Sequence, residues 1–272
     1  MRVRRKMVVA AMVMSLVMAG GFLAWIRNAP EPMYEGVGLG RYVRDYWKDR
    51  ELRRNSRAAV KTMGPEAVPY LMKHIQGDPF TDLLIKISPS MPAPIASMFP
   101  DARAYRERIY SAAILLPEAG TNALTALPWL LKKTEAQNPN FNHNFVRAIG
   151  MLAPGTDSEK RATKLMLEVV RNLEPTNRET RRMAYNYLGE LGGEEVVQVL
   201  LEGLGDYRVR SSCIEALVRI GTNAAPALKK IAEKEEGHIR PATSALERIE
   251  AARVLKNEHS ASVREGPPMP LL

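Results

Sequence analysis

Ile214-Glu-Ala-Leu-Val-Arg-Ile-Gly221-Thr-Asn-Ala-Ala-Pro226-Ala-Leu-Lys-Lys230 is the stretch on which the fold turns. Ile214, Leu217 and Val218 fall at i, i+3 and i+4, the spacing of one helix face. Gly221 ends that helix, because a residue without Cβ enters the left-handed conformation of a helix C-terminus at little cost. Thr222 and Asn223 suit the start of a second helix. Pro226 is tolerated in its first turn, where the missing N–H has no helical partner. The stretch predicts two short helices, tightly joined, each with one apolar face.

The same device recurs on the N-terminal side. Ala58-Ala-Val-Lys-Thr-Met-Gly64-Pro-Glu-Ala-Val-Pro69-Tyr-Leu-Met-Lys73 is one copy. Others run from Ala112 through Gly120 and Pro128 to Lys132, and from Met183 through Gly192 to Leu201. A looser copy spans Phe145 to Gly155 and then Ala162 to Leu173. Gly155, Gly192 and Gly221 are 37 and 29 residues apart, near the period of stacked helix pairs. Five pairs are predicted over 57–254, with 239–254 as a closing helix. A single pair cannot bury its apolar face, whereas stacked pairs make a continuous core and a curved surface. Aromatics make up only 6% of the chain, and its many Ala, Leu and Met residues favour helix over strand.

The pattern Leu-x-x-Ile-Gly-x-x-Ala-x-Pro-x-Leu at 217–228, echoed at 60–71, resembles HEAT-repeat proteins. Glu31-Pro-Met-Tyr-Glu-Gly36, with Leu39 and Trp47 after it, resembles secreted or membrane-anchored HEAT-repeat proteins of Verrucomicrobia-type bacteria. The resemblance implies an all-α fold, a right-handed α-solenoid of about five HEAT-like helix pairs. It implies action by binding other macromolecules and supplies no catalytic residues.

The flanks read differently. Met1 to Lys6 is basic, and Met7 to Ile26 is uncharged. Twenty helical residues span about 30 Å, the hydrocarbon thickness of a bilayer. Residues 1–27 are therefore expected to form one N-terminal transmembrane helix or signal peptide. The repeats would be periplasmic, either tethered to the inner membrane or released by cleavage. Residues 28–56 are expected to be a linker and a first helix at about 41–54. Prolines 79, 89, 92, 94 and 100 prevent a long helix across 77–106, which reads as an ordered insertion or a long loop, either a partner contact or a spacer. Residues 255–272 are expected to be a disordered tail.

Chemistry is sparsely signalled. The formal net charge is +9, but Arg2, Arg4, Arg5, Lys6 and Arg27 belong to the targeting segment. Taking those five from 39 basic residues leaves 34 against 30 acidic ones, so nucleic acid is not the expected partner. The lone cysteine, Cys213, lies in an apolar helix and excludes a disulfide framework. His74, His143, His238 and His259 have no metal-ligand spacing. Gly36, Gly38 and Gly40 lack the strand and the full fingerprint of a phosphate loop. Glu194-Glu195 and Glu235-Glu236 read as helix-end charges. No catalytic, cofactor-binding or metal residue is expected.

Lys73, Lys132 and Lys230 each follow a proline by four residues, on a second helix. In HEAT-like arrays the second helices tend to line the concave face. A row of lysines there would suit an acidic protein, with Tyr70 and Trp129 beside it. The competing reading is a solvated face with packed aromatics. The expected function is a non-catalytic protein-binding scaffold of the cell envelope. The alternatives are a HEAT-like enzyme or cofactor-handling protein (bilin-lyase-like or nucleic-acid-binding) and a structural spacer.

Overall fold

The turn Glu35-Gly36 takes φ of 50° and 74°, as a two-residue hairpin requires. It joins β1 (Met33–Tyr34) to β2 (Val37–Gly38) in an antiparallel pair. A hairpin thus stands where only a flexible turn was expected. The computed structural model describes residues 31–137, 141–173, 177–234 and 239–264. The segment 1–27, His238 and residues 265–272 lie outside these. No described helix is long and apolar enough to cross a membrane. The chain divides into two compact units, meeting in sequence at Ala123 and Leu124.

In the first unit, α1 (Leu39–Asp45) follows the hairpin and buries Leu39 and Val43. The single helix expected over 41–54 is two helices. Asp49 leaves helical geometry, its carboxylate accepts the Leu52 N–H at 2.7 Å, and α2 (Arg50–Met63) starts there. A 3-10 turn at Gly64–Glu66 leads into α3 (Ala67–Gln76).

The insertion is broken into short helices where its prolines dictate. Asp78 caps α4 (Pro79–Ile87) by accepting from Phe80 and Thr81, and Ser88–Ser90 and α5 (Ala93–Ala96) follow. Asp101 then caps α6 (Ala102–Leu115), so the insertion stops short of residue 106. The Asp78 N–H donates to the Tyr105 hydroxyl at 2.7 Å, tying the start of the insertion to α6. Helix α6 packs on α1, α2 and α3.

The second unit contains α7 (Leu127–Glu135), α8 (His143–Leu152), α9 (Glu159–Asn172), α10 (Arg178–Leu191), α11 (Glu194–Gly203), α12 (Arg210–Ile220), α13 (Ala225–Lys234) and α14 (Ile239–Arg264). First helices stack in succession, α8 on α10, α10 on α12 and α12 on α14. Second helices do likewise for α7, α9 and α11. Leu130, Ile149, Leu165, Leu188, Leu200 and Leu217 are fully buried between these layers. Gly64, Gly120, Gly155, Gly192 and Gly221 all have positive φ, from 55° to 72°. Gly64, Gly192 and Gly221 cap α2, α10 and α12 directly, whereas Gly155 lies beyond the α8 cap at Ala153 and Gly120 kinks the 3-10 stretch 116–126. Helix α14 runs past residue 254, because the next helix breakers, Gly266 and Pro267, come later. The tail expected from 255 is helical to Arg264.

Arginine–glutamate pairs bridge neighbouring repeats. Arg161 grips Glu135 with two bonds of 2.7 and 2.6 Å, Arg219 reaches Glu190 at 3.4 Å, and Arg248 grips Glu215 at 2.8 and 3.0 Å. These side chains are exposed or nearly so, and such pairs contribute about 1 kcal/mol or less each. The buried apolar faces carry the stacking.

The pairs do set a pH dependence. Arg161 beside Glu135 and Arg248 beside Glu215 hold those carboxyls below their ordinary values, and Lys48 does so for Asp45. The Arg208 N–H lowers Asp206. A carboxylate whose folded pKa is depressed stabilises the fold above its unfolded pKa, and that stability disappears as pH falls through the folded value. The melting temperature is expected to fall as pH drops through about 6.5, because burial holds His74 and His143 below their ordinary values and the unfolded chain takes up those protons first, and to fall again below about pH 4. Circular dichroism melts across that range check this; a melting temperature unchanged down to pH 3 would show that these pairs contribute nothing.

Candidate functional site

Lys73, Lys132 and Lys230 are all exposed, on α3, α7 and α13 respectively. Lys73 belongs to the first unit and the other two to the second. Repeat position explains their recurrence: Lys73 lies nine residues past Gly64, and Lys230 nine past Gly221. Lys164 lies nine past Gly155 and is exposed on α9. It lacks the preceding proline that drew attention to the others. With Lys160 it lines a groove of 570 Å³ beside the α10–α11 turn. The cationic row is interrupted at α11, whose outer residues are Glu194, Glu195, Gln198 and Glu202. The acidic α11 separates the basic edge of α7 and α9 from Lys229 and Lys230.

The two aromatics part company. Trp129 is half-buried and meets Phe145 edge-on, with centroids 6.3 Å apart, so it packs. Tyr70 instead lines a cavity of 260 Å³ in the first unit, with Glu31, Arg41, Arg44, His74 and Arg108. Its hydroxyl donates to Glu31 Oε1 at 3.2 Å, and the Gly40 N–H donates to the same oxygen. A Cβ on Gly38 would stand 2.6 Å from the Glu31 carboxyl carbon, so glycine there makes room for the carboxylate. Burial, and then Glu31, push the Tyr70 hydroxyl up to about 12.

His74 meets the Tyr70 ring edge-on at 4.8 Å. Burial, followed by the Arg108 and Lys73 charges, holds its imidazole below the ordinary value. Its Nε2 is buried and has no hydrogen-bond partner among the described residues. No group of three His, Cys, Asp or Glu among those residues is placed to hold a metal. Cys213 is buried, and burial pushes its thiol up to about 12, away from thiolate chemistry.

The family model for HEAT repeats matches residues 126–207 and again 167–247. Residues 126–247 carry HEAT repeats. No curated protein and no solved structure matches the chain. The HEAT repeats take in α7 to α13 and include Lys132, Lys164 and Lys230; Lys73 and the Tyr70 cavity precede them.

The Tyr70 cavity was not readable from the sequence. Glu31 and Tyr70 are 39 residues apart, and only the glycines at 38 and 40 hint that something must fit against them. Lys164 was readable, by counting from the glycine instead of from the proline.

Proposed function

We propose that this chain is a non-catalytic protein-binding scaffold of the cell envelope. HEAT repeats are consistent with protein interaction. The observation that carries the reading is the exposed lysine at one repeat position, on α3, α9 and α13, with Lys132 on α7. Side chains repeated at a fixed place on the second helix of a pair suit an extended acidic partner better than a small molecule. The apolar stretch 7–26 behind a basic start supports attachment to the inner membrane with the repeats periplasmic, or release there after cleavage. The resemblance of residues 31–36 to envelope proteins points the same way.

The test is affinity capture from a detergent-solubilised envelope with the full chain as bait. Beside it run one bait carrying Lys73→Glu, Lys132→Glu and Lys230→Glu, and another carrying Lys160→Glu and Lys164→Glu. Charge reversal is expected to weaken the captured partner's affinity at least about tenfold, with the loss growing at low salt. Equal capture by all three baits would remove the lysines from the interface. No capture above background by any bait would favour a spacer.

A further inference from the structure

The Tyr70 cavity holds donors in excess of acceptors. Three guanidinium groups face one carboxylate, Glu31, within its lining. Arg41 and Arg44 lie 3.6 and 3.9 Å from Asp45, but Lys48 holds that carboxylate closest, at 2.8 Å. Arg108 is half-buried and makes no hydrogen bond or ion pair with any described residue. His74 Nε2 is likewise without a partner among them. A half-buried guanidinium, Arg108, beside an unpaired imidazole nitrogen and the exposed Arg41 and Arg44 is matched by an anion with planar oxygens, which accepts two parallel bonds from an arginine.

Glu31 shows which anion the cavity fits. Its carboxylate already takes the Tyr70 and Gly40 hydrogens, and its own residue is otherwise exposed. An exposed tether holding a carboxylate at the rim is displaced at low cost by a second carboxylate. We propose that the cavity of Arg44, Tyr70, His74 and Arg108 is a carboxylate-binding site, with Glu31 as a resident carboxylate that an incoming ligand displaces. The ligand group comes either from an acidic side chain of a protein or from a free organic acid. The proposal does not depend on the scaffold reading, because a free acid would also satisfy the site.

Isothermal titration calorimetry on the full chain tests it, with a blocked tetraglutamate peptide, citrate and inorganic phosphate at one ionic strength. At least one of the two carboxylate ligands is expected to bind saturably. Glu31→Gln, which removes the competing charge, should tighten binding about tenfold, and Arg108→Gln should weaken it at least about tenfold. Arg44→Gln, at an exposed position, should act like Arg108→Gln and covers the case in which the latter misfolds. Lys61→Gln, at an exposed position of α2 outside the cavity lining, should change nothing. Binding of peptide alone would assign a protein-borne carboxylate, and binding of citrate alone a free acid; both support the site. The proposal is overturned if neither carboxylate binds the wild-type or Glu31→Gln chain. It is equally overturned if both arginine variants bind like wild type, or if phosphate binds as tightly as the better carboxylate.

Discussion

Gly189→Val is expected to cost the second unit about 3 kcal/mol or more, enough to unfold a marginal array. Gly189 lies inside α10 where α12 passes closest. A Cβ there would stand 2.6 Å from the Ala216 Cα and 3.0 Å from its carbonyl oxygen. Backbone atoms cannot swing aside as the end of a side chain can. The helices must separate instead, and Leu188 and Leu217, both fully buried, lose their packing. Gly189→Ala is a finer test. Alanine gains about 1 kcal/mol of helix propensity over glycine, which offsets part of the clash, so a net loss of about 1–2 kcal/mol is expected. Gly192 is the control, because a Cβ there meets nothing within 4 Å and only the positive φ of 69° resists it. Urea denaturation of the three variants orders them. A Gly189→Val midpoint equal to wild type would mean that α10 and α12 do not approach this closely.

Leu39→Ala is expected to release the N-terminal hairpin and α1 from the first unit at a cost of about 2–5 kcal/mol. Leu39 is fully buried at the start of α1, and its N–H donates to the Pro32 carbonyl at 2.9 Å. A helix of seven residues does not hold itself together in water, so α1 exists through its contacts with α2 and α6. Truncating its largest anchor therefore removes the element, where a longer helix would only loosen. Amide hydrogen exchange separates local from global damage. Protection of residues 33–45 should collapse while that of α10 and α12 is kept. Unchanged protection at 33–45 would show that Val43 and Tyr46 suffice to hold α1 down.

Helix pairing was legible because its signals are local. Gly64, Gly192 and Gly221 each sit at the end of their own helix, and a positive φ there needs no distant partner. The break at Tyr46–Asp49 was harder. The apolar run Leu39, Tyr42, Val43, Tyr46 and Trp47 keeps a helical period past the end of α1 at Asp45, up to the point where Asp49 caps a new helix. A short-range capping bond overrode a periodicity that pointed the other way. Across 79–96 the chain forms only short helices, and Pro79 itself starts one, because Asp78 precedes it. Of the candidate site, the lysine positions were legible from repeat register. The acidic interruption at α11 follows from placing Glu194, Glu195 and Glu202 on one outer face, and counting only lysines hid it. The Glu31 clasp joins segments that no periodicity relates.

The seams between α10, α12 and α14 repeat one polarity, with the later helix offering the arginine and the earlier one the glutamate: Arg219 to Glu190, then Arg248 to Glu215. Excising α12 and α13 as a block would leave Arg248 opposite Glu190, a like-for-like join. Lengthening or shortening the array by whole modules therefore preserves its edge chemistry, and such a protein can change its reach in evolution without redesigning its joints.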